Sequence, residues 1–127
     1  KKGKDAVIFA TGTMVHESLK AAEILKKGKI DIYVVNIHTI KPIDEKLIID
    51  LARKTNRVIT AEDHNIIGGL GSAVAEVLSE NYPCIMERIG MEDKYGESGK
   101  PDELYDKYGL SAIHVAEKVK KVVKGKK

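Results

Sequence analysis

Short runs of consecutive apolar residues alternate with helix-period segments from one end of this sequence to the other. That alternation constrains the fold more than any single motif. Ala6-Val7-Ile8-Phe9-Ala10 has the continuous apolar character of a strand buried on both faces of a parallel sheet. Thr11-Gly12-Thr13 closes it, with Thr13 placed to cap a helix whose apolar stripe reads Val15, Leu19, Ala22 and Leu25 and which stops at Gly28. Ile30 to Ile37 reads as a second buried strand ended by Pro42. Asp44 is placed to cap a helix carrying Leu47, Ile48, Leu51 and Ala52.

A third, shorter strand follows at Arg57 to Ala61, then a glycine-bearing loop from Glu62 to Gly71. The next helix turns Ala73, Val74, Val77 and Leu78 inward and ends at Asn81 and Pro83. Cys84 to Ile89 reads as a fourth strand, and Gly90 to Lys100 as a polar stretch without periodicity. Pro101 suits a first helical turn, with Asp102 and Glu103 near the positive end of the dipole. Ser111 is placed to cap a last helix with Ala112, Val115, Val119 and Val122 on one stripe. Strands alternating with helices predict right-handed crossovers and one three-layer α/β/α domain over residues 1–127.

Charge bears on what such a domain can bind. Nine of the 22 basic residues lie in two lysine-rich tails, residues 1–4 and 118–127, while all 19 acidic residues lie between Asp5 and Glu117. The body is therefore acidic, and only Arg53, Arg57 and Arg88 offer guanidinium groups. A nucleic-acid surface needs a basic stripe on a folded face, so nucleic acid is not expected as a partner. One cysteine rules out an internal disulfide framework and a multi-cysteine zinc site. No apolar run approaches the length of a membrane span, so no membrane partner is expected. The first residue is not Met, which reads as a piece of something longer.

Ligands of parallel sheets bind beyond the carboxyl ends of the strands. Those ends are Thr11-Gly12-Thr13, His38-Thr39-Ile40-Lys41, Glu62-Asp63-His64-Asn65 and Gly90-Met91-Glu92-Asp93. The densest polar content is at Glu62 to Ser72. There Glu62, His64, Ile66 and Ile67 are candidates for an interface or an active-site entrance, and Gly69, Gly71 and Ser72 for binding an anion at a helix start.

A dinucleotide reading of Gly69 and Gly71 fails, because Val74 stands where a third Gly or Ala belongs and the motif follows the third strand after a gap rather than the first strand directly. Tight turning and close helix packing account for the glycines. His64 has no second histidine at i+3 or i+4, so no metal site is expected. His38 could approach it across neighbouring strand ends, while His16 and His114 fall on helices as bystanders. Cys84 reads as a small core residue without an activating partner.

Four segments in order carry a family resemblance: AVIFATG at Ala6–Gly12, VVNIHTIKPID at Val34–Asp44, VITAEDHNIIGGLGSAVAE at Val58–Glu76, and Gly90–Leu110 with Tyr95-Gly96-Glu97-Ser98-Gly99, Pro101-Asp102-Glu103-Leu104 and Tyr108-Gly109-Leu110. Together they resemble the C-terminal domain of the transketolase family of thiamine-diphosphate enzymes. Deoxyxylulose-phosphate synthase and the beta subunit of 2-oxoacid dehydrogenases have a similar glycine loop. The resemblance implies a mostly parallel sheet of about five strands, one antiparallel, and a part in assembling a homodimer.

It also implies that the cofactor's diphosphate and its magnesium are held by a G-D-G…N segment, and its aminopyrimidine by a glutamate, both in preceding domains. No G-D-G occurs in this sequence. The expectation is a C-terminal domain or subunit of a cytoplasmic transketolase that supports assembly and the active-site entrance. It would carry no catalytic residue and bind no cofactor alone, and its partners would be the N-terminal domains or subunit. The competing expectation is a non-catalytic module that takes a small regulatory anion or docks a partner.

Overall fold

The computed structural model describes residues 5–38, 40, 42–65, 69–91 and 111–125. Its elements run β1 (Ala6–Ala10), α1 (Met14–Lys27), β2 (Ile32–Asn36), α2 (Glu45–Thr55), β3 (Arg57–Asn65), α3 (Leu70–Asn81), β4 (Ile85–Met91) and α4 (Ala112–Lys124). The four strands form one sheet in the order β2-β1-β3-β4, and every pairing is parallel. The antiparallel strand implied by the resemblance is not among the described residues. The Pro101 turn and most of the polar stretch before it also lie outside them.

β1 is central, and all five of its residues are fully buried. Alternate side chains point to opposite faces of a strand, and two cores follow from that. Ala6, Ile8 and Ala10 pack with Met14, Ala21 and Leu25 of α1 and with Val115, Ala116 and Val119 of α4. Val7 and Phe9 pack with Ile48, Leu51 and Ala52 of α2 and with Leu70, Val74, Val77 and Leu78 of α3. The chain steps from β1 outward to β2, then back across to β3 and on to β4. Right-handed crossovers place α1 opposite α2 and α3 for that path, which is the layering observed.

The local signals at α2 hold in detail. Asp44 sits at its N-cap, and its carboxylate accepts the Leu47 N–H at 3.2 Å. Asn56 ends the helix in the left-handed region at φ 60°.

Three expectations are corrected. The buried stripe of α1 is Met14, Ser18, Ala21 and Leu25, so Leu19 is 51% exposed while Ser18 is fully buried. β2 is shorter than expected and only half-buried, because it is a sheet edge rather than an inner strand. The last helix takes in Lys118 to Lys124 of the lysine-rich stretch, as the stripe through Val122 predicts, with Lys118 Nζ 3.3 Å from the Glu87 carboxylate. Ser111 stands at the N-cap of α4, but its hydroxyl makes no capping bond. It meets His114 Nδ1 at 2.7 Å, and the Glu17 carboxylate of α1 accepts the Ala112 N–H at 2.9 Å instead.

Candidate functional site

The direction of the chain reverses at β1: its own crossover leads to β2 on one side, while β3 lies on the other. In open α/β sheets the ligand crevice forms outside the carboxyl ends of the strands at such a switch point. A cleft of about 500 Å³ opens there, lined by Thr11, Gly12, Val15, Asn36, Ile37, His38, Ile40, Glu62 and Gly69. The Thr11 N–H donates to the Ala61 carbonyl at 3.1 Å, and the Ile37 N–H to the Ala10 carbonyl at 2.9 Å, so the three strand ends are held level. Gly12 makes the turn out of β1 at φ 60°, a conformation open to glycine at little cost. The first turn of α1 then closes on itself through Met14 N–H to the Thr11 carbonyl and Val15 N–H to the Gly12 carbonyl.

The floor of this edge is set by Glu62. β3 does not end at Ala61 as the charged residues suggested; it continues to Asn65. Its register against β4 shifts between Ala61 and Asn65, where Ala61 faces Ile89 and Asn65 faces Met91. Such bulges bend a strand and re-aim side chains. Glu62 follows Val58 and Thr60 toward the α3 side and is 2% exposed. One carboxylate oxygen, Oε1, accepts the Leu70 N–H at 2.8 Å, and the other, Oε2, accepts the Gly71 N–H at 2.9 Å.

Those donors are the unpaired amides at the start of α3. Gly69, at the N-cap, has no side chain to satisfy them, and the first turn carries no acidic residue. Glu62 therefore supplies both the missing acceptor and the negative charge that a helix N-terminus favours. Its burial stands because the charge is met by two hydrogen bonds. Sequence reasoning missed this role, although the signal was present: a helix start without its own cap needs an acceptor from elsewhere.

Gly71 is needed for a different reason. A Cβ there would stand 3.0 Å from Arg88 Cδ and 3.1 Å from Thr60 Oγ1, closer than ordinary packing allows. The glycine thus lets α3 lie close against β3 and β4, the packing explanation given above. Ser72 faces Arg88, whose Nη1 is 3.5 Å from its hydroxyl.

The sequence-derived candidates sort as follows. Glu62 and Gly69 line the cleft together, and Gly71 meets Glu62. Of the anion candidates Gly69, Gly71 and Ser72, Gly71 has its amide held by the protein's own carboxylate, as has the neighbouring Leu70. His64 lies on the backbone of β3 within the stretch where the register shifts, while Ile66 and Ile67 lie outside the described residues. His38 is exposed on the cleft wall; His16 and His114 are exposed on their helices away from it. Cys84 precedes β4 half-buried against the α2–α3 core, and burial raises its thiol pKa above the ordinary value.

No group of three His, Cys, Asp or Glu able to hold a metal ion occurs among the described residues. The described residues therefore offer no set of ligands for a metal-bound diphosphate. The buried carboxylate of the cleft, Glu62, is engaged inside the chain.

Comparison with known proteins gives concordant matches. The family model for the transketolase C-terminal domain matches residues 1–115. The 6-deoxy-6-sulfo-D-fructose transketolase subunit SqwH of Clostridium sp. (strain MSTE9) is 45% identical over 126 residues, covering 99% of this chain and 39% of that protein. A 1-deoxy-D-xylulose-5-phosphate synthase of Caldanaerobacter subterraneus is 41% identical over 120 residues, covering 93% of this chain and 19% of that protein. Among solved structures, a split-gene transketolase described as an inactive β4 tetramer superposes with a TM-score of 0.92 at 48% identity, over 97% of this chain and 40% of that one. The chain thus spans about two fifths, or less, of the proteins it resembles.

Proposed function

The chain belongs to the family of transketolase C-terminal domains, and on that premise we propose that it is the C-terminal domain or subunit of a thiamine-diphosphate-dependent transketolase. It acts as part of a larger transferase that moves a two-carbon ketol unit between sugar phosphates, pentose phosphates included. Bound thiamine diphosphate supplies the electron sink for that chemistry. Cofactor and magnesium are held by the N-terminal domains or subunit, and this chain carries no catalytic residue. What it contributes is a rigid sheet edge. The Glu62 tie to α3 holds the β3–α3 junction, and the proposed contacts with the partner at the active-site entrance are Glu62 and the residues that follow it in sequence, His64, Ile66 and Ile67. Self-association into a homodimer and a cytoplasmic setting complete the proposal; no helix among the described residues is long and apolar enough to cross a membrane.

The observation that carries this reading is the correspondence of nearly the whole chain with part of a split-gene transketolase. The test is complementation: the chain mixed with its N-terminal counterpart, thiamine diphosphate and magnesium, and assayed for ketol transfer.

A second reading is supported by the similarity to deoxyxylulose-phosphate synthase: the same assembly role in that enzyme, or in a 2-oxoacid dehydrogenase beta subunit. Offering the mixture a ketose phosphate and a 2-oxoacid as alternative donors separates the two. A regulatory small-anion site at Gly69, Gly71 and Ser72 has less support, because Glu62 already holds the Leu70 and Gly71 amides.

A further inference from the structure

We draw no further inference here: the strongest candidate, the cleft of about 500 Å³ where the carboxyl ends of β1, β2 and β3 meet the start of α3, belongs to the site already described.

Discussion

Glu62 and Gly71 stand nine residues apart and are joined by a buried hydrogen bond of 2.9 Å from the glycine N–H to the glutamate carboxylate. With the companion bond from Leu70, it fastens the end of β3 to the start of α3. Hydrogen bonds to charged groups contribute about 1.5–3 kcal/mol each, and removing the acceptor leaves two buried donors unsatisfied. Glu62→Ala should therefore destabilise the domain by about 3 kcal/mol in urea unfolding, with Glu62→Gln in between because it keeps one acceptor. A loss below about 0.5 kcal/mol for the alanine variant would show that water replaces the carboxylate at no cost.

Gly71→Ala tests the packing at the same junction. In an unobstructed helix the change would gain about 1 kcal/mol. Here the added methyl group meets Arg88 Cδ and the buried Thr60 hydroxyl at about 3 Å, and overpacking costs about 1–3 kcal/mol. The expected outcome is net destabilisation, partly relieved when Arg88 is also changed to Ala. Additive effects in that double-mutant cycle would contradict the contact.

The cap of α4 gives an unequal pair of substitutions. Glu17→Ala removes the acceptor of the Ala112 N–H and should cost about 1 kcal/mol, as the loss of a helix cap does. Ser111→Ala, at the N-cap position but without a capping bond, should cost clearly less. The reverse order in thermal unfolding would mean that the serine is the true cap.

Comparison of these elements shows what a sequence can disclose. β1 and the Asp44 cap of α2 were legible because their signals are local: a continuous apolar run, and a carboxylate three residues before the amide it binds. Glu17 and Glu62 were not. Their partners lie 95 and eight to nine residues away, and a charged residue after a strand reads as the start of a loop until its partner is seen. The stripe of α1 was placed one position off because Leu19 looked more buriable than Ser18, whereas tertiary packing chose Ser18. β2 has the composition of an inner strand, and only the sheet order reveals it as an edge. Of Gly69, Gly71 and Ser72, read from the sequence as an anion site, Gly71 gives its amide to the Glu62 carboxylate, a partner that no local spacing announces.

His64 is the residue through which the proposed entrance role is tested. In the complemented enzyme, His64→Ala should lower turnover about tenfold, roughly 1.4 kcal/mol of barrier, while leaving the unfolding midpoint unchanged. Asp93→Ala in the later segment should do much less. Unchanged turnover and unchanged assembly in the His64 variant would reduce the end of β3 to a connector.

The central claim is that this chain completes a transketolase made elsewhere. The direct measurement is ketol transfer by the chain alone, by its N-terminal counterpart alone, and by the two mixed with thiamine diphosphate and magnesium, with calorimetry of the cofactor against the isolated chain. The account predicts activity that needs both components, a stable complex in sedimentation, and no measurable cofactor binding to the chain alone. A micromolar dissociation constant for thiamine diphosphate on the isolated chain, or full activity of the counterpart without it, would contradict that claim.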